Sequence, residues 1–243
     1  MKELFNLSSD EISFEEASSY FGEKIPVTAE DFSKLSAKYK AFAFTVSGYT
    51  KAQILNKFHE ELLKTIDEGS TIKTFKDNMN QFLEKYGYEG ITNFQADNIY
   101  RTNIQTAFQS GHYEQMVKPE VMKYRPYWMY DAMNDQRTRR SHLAMDGRVF
   151  RADDPVWDIW YPPNGFRCRC SVITLSERQV KERNLVVEKG APVAGELDGR
   201  FVNILPDPNF STNAAKNRFI PTLNDVHEPI KKAYESQKTS NQK

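Results

Sequence analysis

The spacing of apolar residues changes once along this chain, near residue 120, and that change constrains the fold more than any other feature. Before it, Ile54, Leu55, Phe58, Leu62 and Ile66 form one helical series, and Ile72, Phe75, Met79, Phe82 and Tyr86 form the next. A period near 3.6 gives each helix a single apolar face. Gly69 and Gly87 stop the two runs. Ser8 with Glu11, and Thr50 with Gln53, read as capping boxes. Ile12, Phe14, Ala17, Tyr20 and Phe21 follow the first before Gly22, and Thr28 caps a short helix carrying Phe32, Leu35 and Tyr39. A longer helix is expected from about Asn93 to Val117. It turns Ala96, Ile99, Ile104, Ala107 and Phe108 inward and closes at Pro119.

After residue 120 the pattern shortens. Tyr124 to Asp131 alternates and is aromatic, Arg148–Arg151 suits a short strand, and Cys168 to Leu175 suits another. In that last strand Cys168, Cys170 and Val172 share one face and Arg169 and Ser171 the other. Past Pro206 the chain is rich in Asn, Pro, Ser and Lys, with little periodicity. The expected class is α+β. Residues 1–120 form a mainly α-helical region, and 121–180 a small mixed α/β module with short strands and long loops. Residues 181–243 form an extended tail, partly disordered unless a partner holds it.

Composition narrows the functions. The 243 residues hold 33 basic and 33 acidic side chains, for a net charge of zero. A general nucleic-acid coat needs a basic excess. The mean hydropathy of −0.68 is low for a self-contained globule, although 16 Phe and 12 Tyr can supply a core. The amphipathic helices are therefore expected to keep a partner-binding face. No apolar run approaches the ~20 residues a bilayer span needs, and Met1 to Asp10 lacks a basic-then-apolar leader pattern. No membrane association and a cytoplasmic protein are expected.

The chemistry concentrates between Asp131 and Cys170. From Arg137 to Arg169 there are seven Arg and no Lys. Arg presents a planar fork to carboxylates and phosphates, which Lys does not. Trp157, Trp160, Pro162, Pro163, Asn164 and Gly165 lie in the same stretch, as do both cysteines, Cys168 and Cys170. One intervening residue makes a Cys168–Cys170 disulfide strained.

Several short motifs carry a family resemblance. They are A-F-A-F-T-V-S-G at 41–48 and R-T-N from Arg101, then P-Y-W-M-Y-D at 126–131, D-Q-R-T-R-R-S-H at 135–142 and D-G-R-V-F at 146–150. D-D-P-V-W at 153–157 and P-P-N-G-F-R-C-R-C at 162–170 complete the series. In this order and spacing the chain, over roughly 17 to 205, resembles the phage Mu F-like minor head proteins, also called phage head morphogenesis proteins. It departs from them at Arg140, where Pro is frequent, and at Asn209 to Ala215, where a G-F-x-Y-N-P-G type segment is frequent. The resemblance implies a minor structural protein of a tailed phage or prophage. Such a protein associates with the portal protein, and with major capsid or scaffolding protein, and assists head assembly, DNA packaging or ejection. It implies the host cytoplasm during assembly and then the head interior or portal vertex.

Three readings of the motif-rich segment compete. In the first, His142, Cys168 and Cys170 ligate zinc, with Asp131, Asp135 or Asp146 as a fourth ligand; packed free thiols would serve as well. In the second, His142 is a general base for a Cys168 nucleophile beside Asp135 and Arg137, which would make the chain a Cys/His-dependent enzyme delivered with the particle. No motif sets a reaction class for it. The third is architectural and is preferred: no enzyme and no cofactor. Asp131 and Asp135 pair with Arg137, Arg139 or Arg169, Thr138 caps a short helix carrying His142, and Gly147 takes a positive φ after Asp146. Pro162 and Pro163 stiffen a loop over Trp157 and Trp160, and Asn164 and Gly165 turn it into the Cys strand. Residues 137–151 also hold five Arg against one Asp. Arg139, Arg140, Arg148 and Arg151 could thus make weak, sequence-independent phosphate contacts. His59, His112 and His227 read as structural or exposed, and the lysines of 231–243 as solvated.

Overall fold

The computed structural model describes residues 14–216 and residue 231. The Ser8 and Glu11 capping box, His227 and the terminal lysines beyond 231 lie outside the described residues. The described chain is α+β, helical first and with small sheets later.

The helical half runs α1 (Glu15–Gly22), β1 (Ile25–Pro26), α2 (Ala29–Lys34), α3 (Ala37–Lys40), β2 (Ala43–Phe44), α4 (Ala52–Glu68), α5 (Ile72–Lys85) and α6 (Asn93–Met116). The apolar stripes of α4 and α5 meet those of α1 and α6. Phe58, Leu62, Met79, Leu83 and Ala107 are fully enclosed there, with Phe21. Burial of this kind contributes about 1.5–3 kcal/mol per large side chain, so the amphipathic pattern is accounted for inside the chain. Large apolar side chains are nonetheless exposed in both halves, Phe94 on α6 and Val186, Val193 and Phe201 later in the chain among them. β1 and β2 pair in parallel beside this core.

The caps show where the local reading holds. Thr28 and Thr71 accept from backbone N–H groups at the starts of α2 and α5, and Thr92 with Gln95 forms a capping box on α6. Gly69 ends α4 in the left-handed region, at φ 70°. The Thr50 and Gln53 box does not form: Lys51 is the N-cap of α4 and makes no side-chain cap. Pro119 does not simply close a helix. It opens a new one, α7 (Pro119–Tyr124), at the first-turn position where its missing N–H costs nothing. Phe108 is half exposed rather than inward, and its ring lies 5.1 Å from that of Phe14.

The second half comprises β3 (Tyr127–Asp131), α8 (Arg140–Leu143), β4 (Val149–Arg151), α9 (Trp157–Trp160), β5 (Ser171–Leu175), α10 (Glu177–Glu182), β6 (Val187–Glu188), β7 (Ala194–Leu197) and β8 (Arg200–Asn203). The main sheet has the order β5-β3-β4-β6. β3 is antiparallel to both neighbours, with Trp128 opposite Phe150 and Tyr130 opposite Val172. β4 and β6 are parallel. The pleat sends Trp128, Tyr130, Phe150 and Val172 to one face, where Trp157, Trp160 and Tyr161 cover them. Met129, Val149 and Leu175 go to the other face, under Val180 of α10.

Beyond residue 181 an extended tail was expected. The chain instead makes the β7–β8 hairpin, and Ile204, Asn213 and Ala215 are buried against the aromatic core. Asn213 donates its backbone N–H to the Asp158 carbonyl and its side-chain amide to the Trp157 carbonyl.

Candidate functional site

Three segments converge on a buried cluster: the loop and helix after β3, the turn after α9, and the residues just before β5. The ladder of β5 begins at Ser171, so Cys168 and Cys170 sit in the approach to the strand rather than within it. Their alternation survives: both are buried, while Arg169 and Ser171 between and after them are partly exposed. Arg167, at φ 58°, turns the chain into this approach.

His142 comes from α8, which starts at Arg139 as N-cap. Thr138 does not cap that helix. Its hydroxyl donates to the Met133 carbonyl and lies 3.2 Å from Asp135 Oδ1, closing the loop one step earlier. The His142 ring is 1% exposed, and Cys168 and Cys170 are 3% and 1% exposed. His142 Nδ1 stands 3.8 Å from Cys168 Sγ and 3.4 Å from Cys170 Sγ. The three potential ligand atoms all lie within 4.8 Å of one another. The Trp160 indole stands across the imidazole, with ring centroids 6.0 Å apart.

The two thiols titrate as a pair. Cys168 is pulled down to about 4, chiefly by its hydrogen bond with Cys170 and, against the cost of burial, by His142. Cys170 is pushed far up by the neighbouring Cys168 and by burial. Two thiolates this close in an apolar site repel, so the second proton is retained.

An ion pair braces the cluster from outside. Arg169 grips Asp135 with two bonds, of 2.6 and 2.7 Å. That geometry is the planar fork which favours Arg over Lys. Arg169 holds the Asp135 carboxyl far below its usual range. Arg137 is a more distant partner at 3.4 Å. The pair spans from the loop leading to His142 to the residue between the cysteines.

Asp131 does not share in it. Burial, and then the charge of Asp146, raise its carboxyl. Asp146 instead accepts from the Ala132 N–H and the Asn134 amide, holding the loop after β3. Gly147 takes a positive φ of 73°, as expected after Asp146. None of the three aspartates considered as a fourth ligand joins the His142 cluster.

Several further residues hold the site, and of these Gln105, Gln109 and Tyr161 lie outside the motifs. Asn164 is fully buried; it accepts from the Tyr130 hydroxyl at 2.9 Å and donates to the Ile159 carbonyl at 3.2 Å. Gln105 and Gln109 of α6 donate to the Cys170 carbonyl, and Tyr161 donates to the Gln109 carbonyl. These bonds fasten the long helix to the cysteine approach. Polar residues on an otherwise helical face were the only available sign of them. Pro162 and Pro163 are both buried in the turn, and the bond between them is cis. A Cβ on Gly165 would meet Asp207 Cγ at 2.8 Å and Arg139 Cζ at 3.1 Å, so a larger residue here would push that ion pair aside. Arg101 lies on α6 and pairs with Asp97, which also takes Arg167.

The four arginines considered for phosphate contact are each matched to a carboxylate. Arg139 pairs with Asp207, Arg140 with Asp198, Arg148 with Glu188 and Arg151 with Asp153. Three of these partners, Asp198, Glu188 and Asp207, come from much later in the chain, and Asp153 lies two residues after Arg151.

Comparison with known proteins agrees with the motifs. Residues 56–173 match the family "Phage Mu protein F like protein". The chain is 37% identical over 159 residues to the "Mu-like prophage FluMu F protein" of Haemophilus influenzae, covering 60% of this chain and 38% of that protein. It is 34% identical over 192 residues to the "Putative capsid assembly protein F" of Escherichia phage Mu, covering 72% of this chain and 43% of that protein. The chain thus spans about two fifths of the length of these relatives. No solved structure matches. The residues similar to that family run from α4 to the first residues of β5, and they include His142, Cys168 and Cys170.

Proposed function

We propose that this chain is a minor head protein of a tailed phage or prophage that acts in capsid assembly at the portal vertex. The observation that carries the reading is the match of residues 56–173 to the Mu F-like family, together with a relative named for capsid assembly. The architecture supports it. The motif residues build a braced aromatic module in which charges are paired internally, as suits a part that must hold its shape in an assembly. Portal protein is the proposed partner, with major capsid or scaffolding protein as further contacts. The protein would work in the host cytoplasm during assembly and then reside in the head interior or at the portal vertex. Among the described residues no helix is long and apolar enough to cross a membrane.

The enzymatic reading is less well supported by the geometry. His142 and Cys168 are adjacent, but both are buried, and a nucleophile needs access to substrate as well as a base. Direct DNA contact is disfavoured by the pairing of Arg139, Arg140, Arg148 and Arg151.

The test is native mass spectrometry of the chain co-expressed with the portal protein of the same phage or prophage. A complex of defined stoichiometry is expected. Free chain and free portal, with the same result when capsid and scaffolding proteins are added, would overturn the reading.

A further inference from the structure

We propose that His142 Nδ1, Cys168 Sγ and Cys170 Sγ bind a structural zinc ion that ties α8 to the approach of β5. Tetrahedral zinc with Zn–S about 2.3 Å and Zn–N about 2.0–2.1 Å sets its sulfur and nitrogen ligands about 3.6 Å apart. The two measured separations, 3.8 and 3.4 Å, straddle that edge length. The donor set suits the ion, since thiolate and imidazole favour zinc over magnesium or calcium.

The surroundings fit as well. Among the described residues His142 Nε2 makes no hydrogen bond, so the ring is oriented by its packing against Trp160 and by the contacts of Nδ1. With the proton on Nε2, the Nδ1 lone pair faces both sulfurs. The Asp135–Arg169 pair fixes the residue between the cysteines and the loop that carries His142, so the three donors are held by a framework outside the ligand set. Among the described residues no fourth His, Cys, Asp or Glu joins the cluster. A water molecule or a neutral oxygen would complete the tetrahedron. Three protein ligands with an open position can also make a catalytic site. Burial of every ligand decides for a structural role here, because a substrate has no path to the ion.

The proposal is independent of the head-assembly reading and is tested on the chain alone. The protein, purified without chelator or metal-affinity tag, is analysed for metals by mass spectrometry. Near-stoichiometric zinc is expected, and chelator should lower its melting temperature. Replacement by cobalt should give thiolate-to-metal charge-transfer absorption and the intense visible bands of a tetrahedral site. The packing-preserving C168A/C170A variant should lose the metal and the chelator effect. Should that variant fail to fold, His142→Cys keeps a tetrahedral donor set and should retain zinc. A folded wild-type chain that is metal-free and shows no charge-transfer band with added cobalt would overturn the proposal. So would zinc that persists in the folded double alanine variant.

Discussion

Asn164→Ala tests whether the module is held by its buried polar links as well as by aromatic packing. The side chain is fully enclosed, so no water replaces what is lost. Removing it leaves the buried Tyr130 hydroxyl without its 2.9 Å acceptor and the Ile159 carbonyl without its 3.2 Å donor. Each buried polar group left unpaired costs about 1–3 kcal/mol, giving about 2–6 kcal/mol for the substitution. Tyr130→Phe removes the hydroxyl, which leaves the Asn164 oxygen unpaired and takes one hydrogen bond from Cys170, at about 1–3 kcal/mol. The two changes share one bond, so the double variant should cost less than the sum of the singles, by about 1–2 kcal/mol. Urea unfolding followed by tryptophan fluorescence is the assay, because Trp157 and Trp160 lie in the same core. An Asn164→Ala cost under about 0.5 kcal/mol, or strict additivity with Tyr130→Phe, would refute the reasoning.

Further outcomes are expected elsewhere in the chain. Phe58→Ala in the helical core should cost about 3–5 kcal/mol, since Phe58 is fully buried; chemical denaturation monitored by circular dichroism would measure it. Gly165→Ala should destabilise by forcing apart the Arg139 and Asp207 pair, and Asp207→Ala should restore part of the loss in thermal melts. Burial lowers the pKa of His59, which stacks on Phe21, and burial also lowers that of His112. The unfolded chain therefore takes up protons first as pH falls. Stability at these sites is present above the ordinary value of 6.5 and declines as pH drops through and below it. His59→Gln should flatten that slope in melts across the range. Asp135, whose carboxyl is depressed by Arg169, acts in a separate window: its contribution fades only as pH falls below the ordinary value of 3.8.

The helical half was legible because each element there obeys a local rule. The apolar period of α4 and α5 names Phe58, Leu62, Phe75 and Met79 as core, and Gly69 marks a left-handed stop. The exceptions lie at element ends, where Lys51 rather than Thr50 is the N-cap of α4 and Pro119 starts α7 at the first-turn position that suits proline. In the second half the motif residues His142, Cys168 and Cys170 do meet. What sequence could not assign was the partner of each charge. Asp135 with Arg169, Arg139 with Asp207 and Arg148 with Glu188 are separated by long stretches of chain, and nothing local selects them over Asp131 or Arg137. The tail was misjudged for a similar reason. Ile204, Asn213 and Ala215 lack periodicity because they are held one by one against a finished core.

The central claim, that this chain is a component of phage heads, is tested most directly by quantitative mass spectrometry. The sample is gradient-purified heads from cells expressing the full head gene set, with and without the chain. The expected result is a small, fixed number of copies per head, with defective or unfilled heads when the chain is left out. Heads that form and fill normally in its absence, and never contain it when it is present, would contradict the claim.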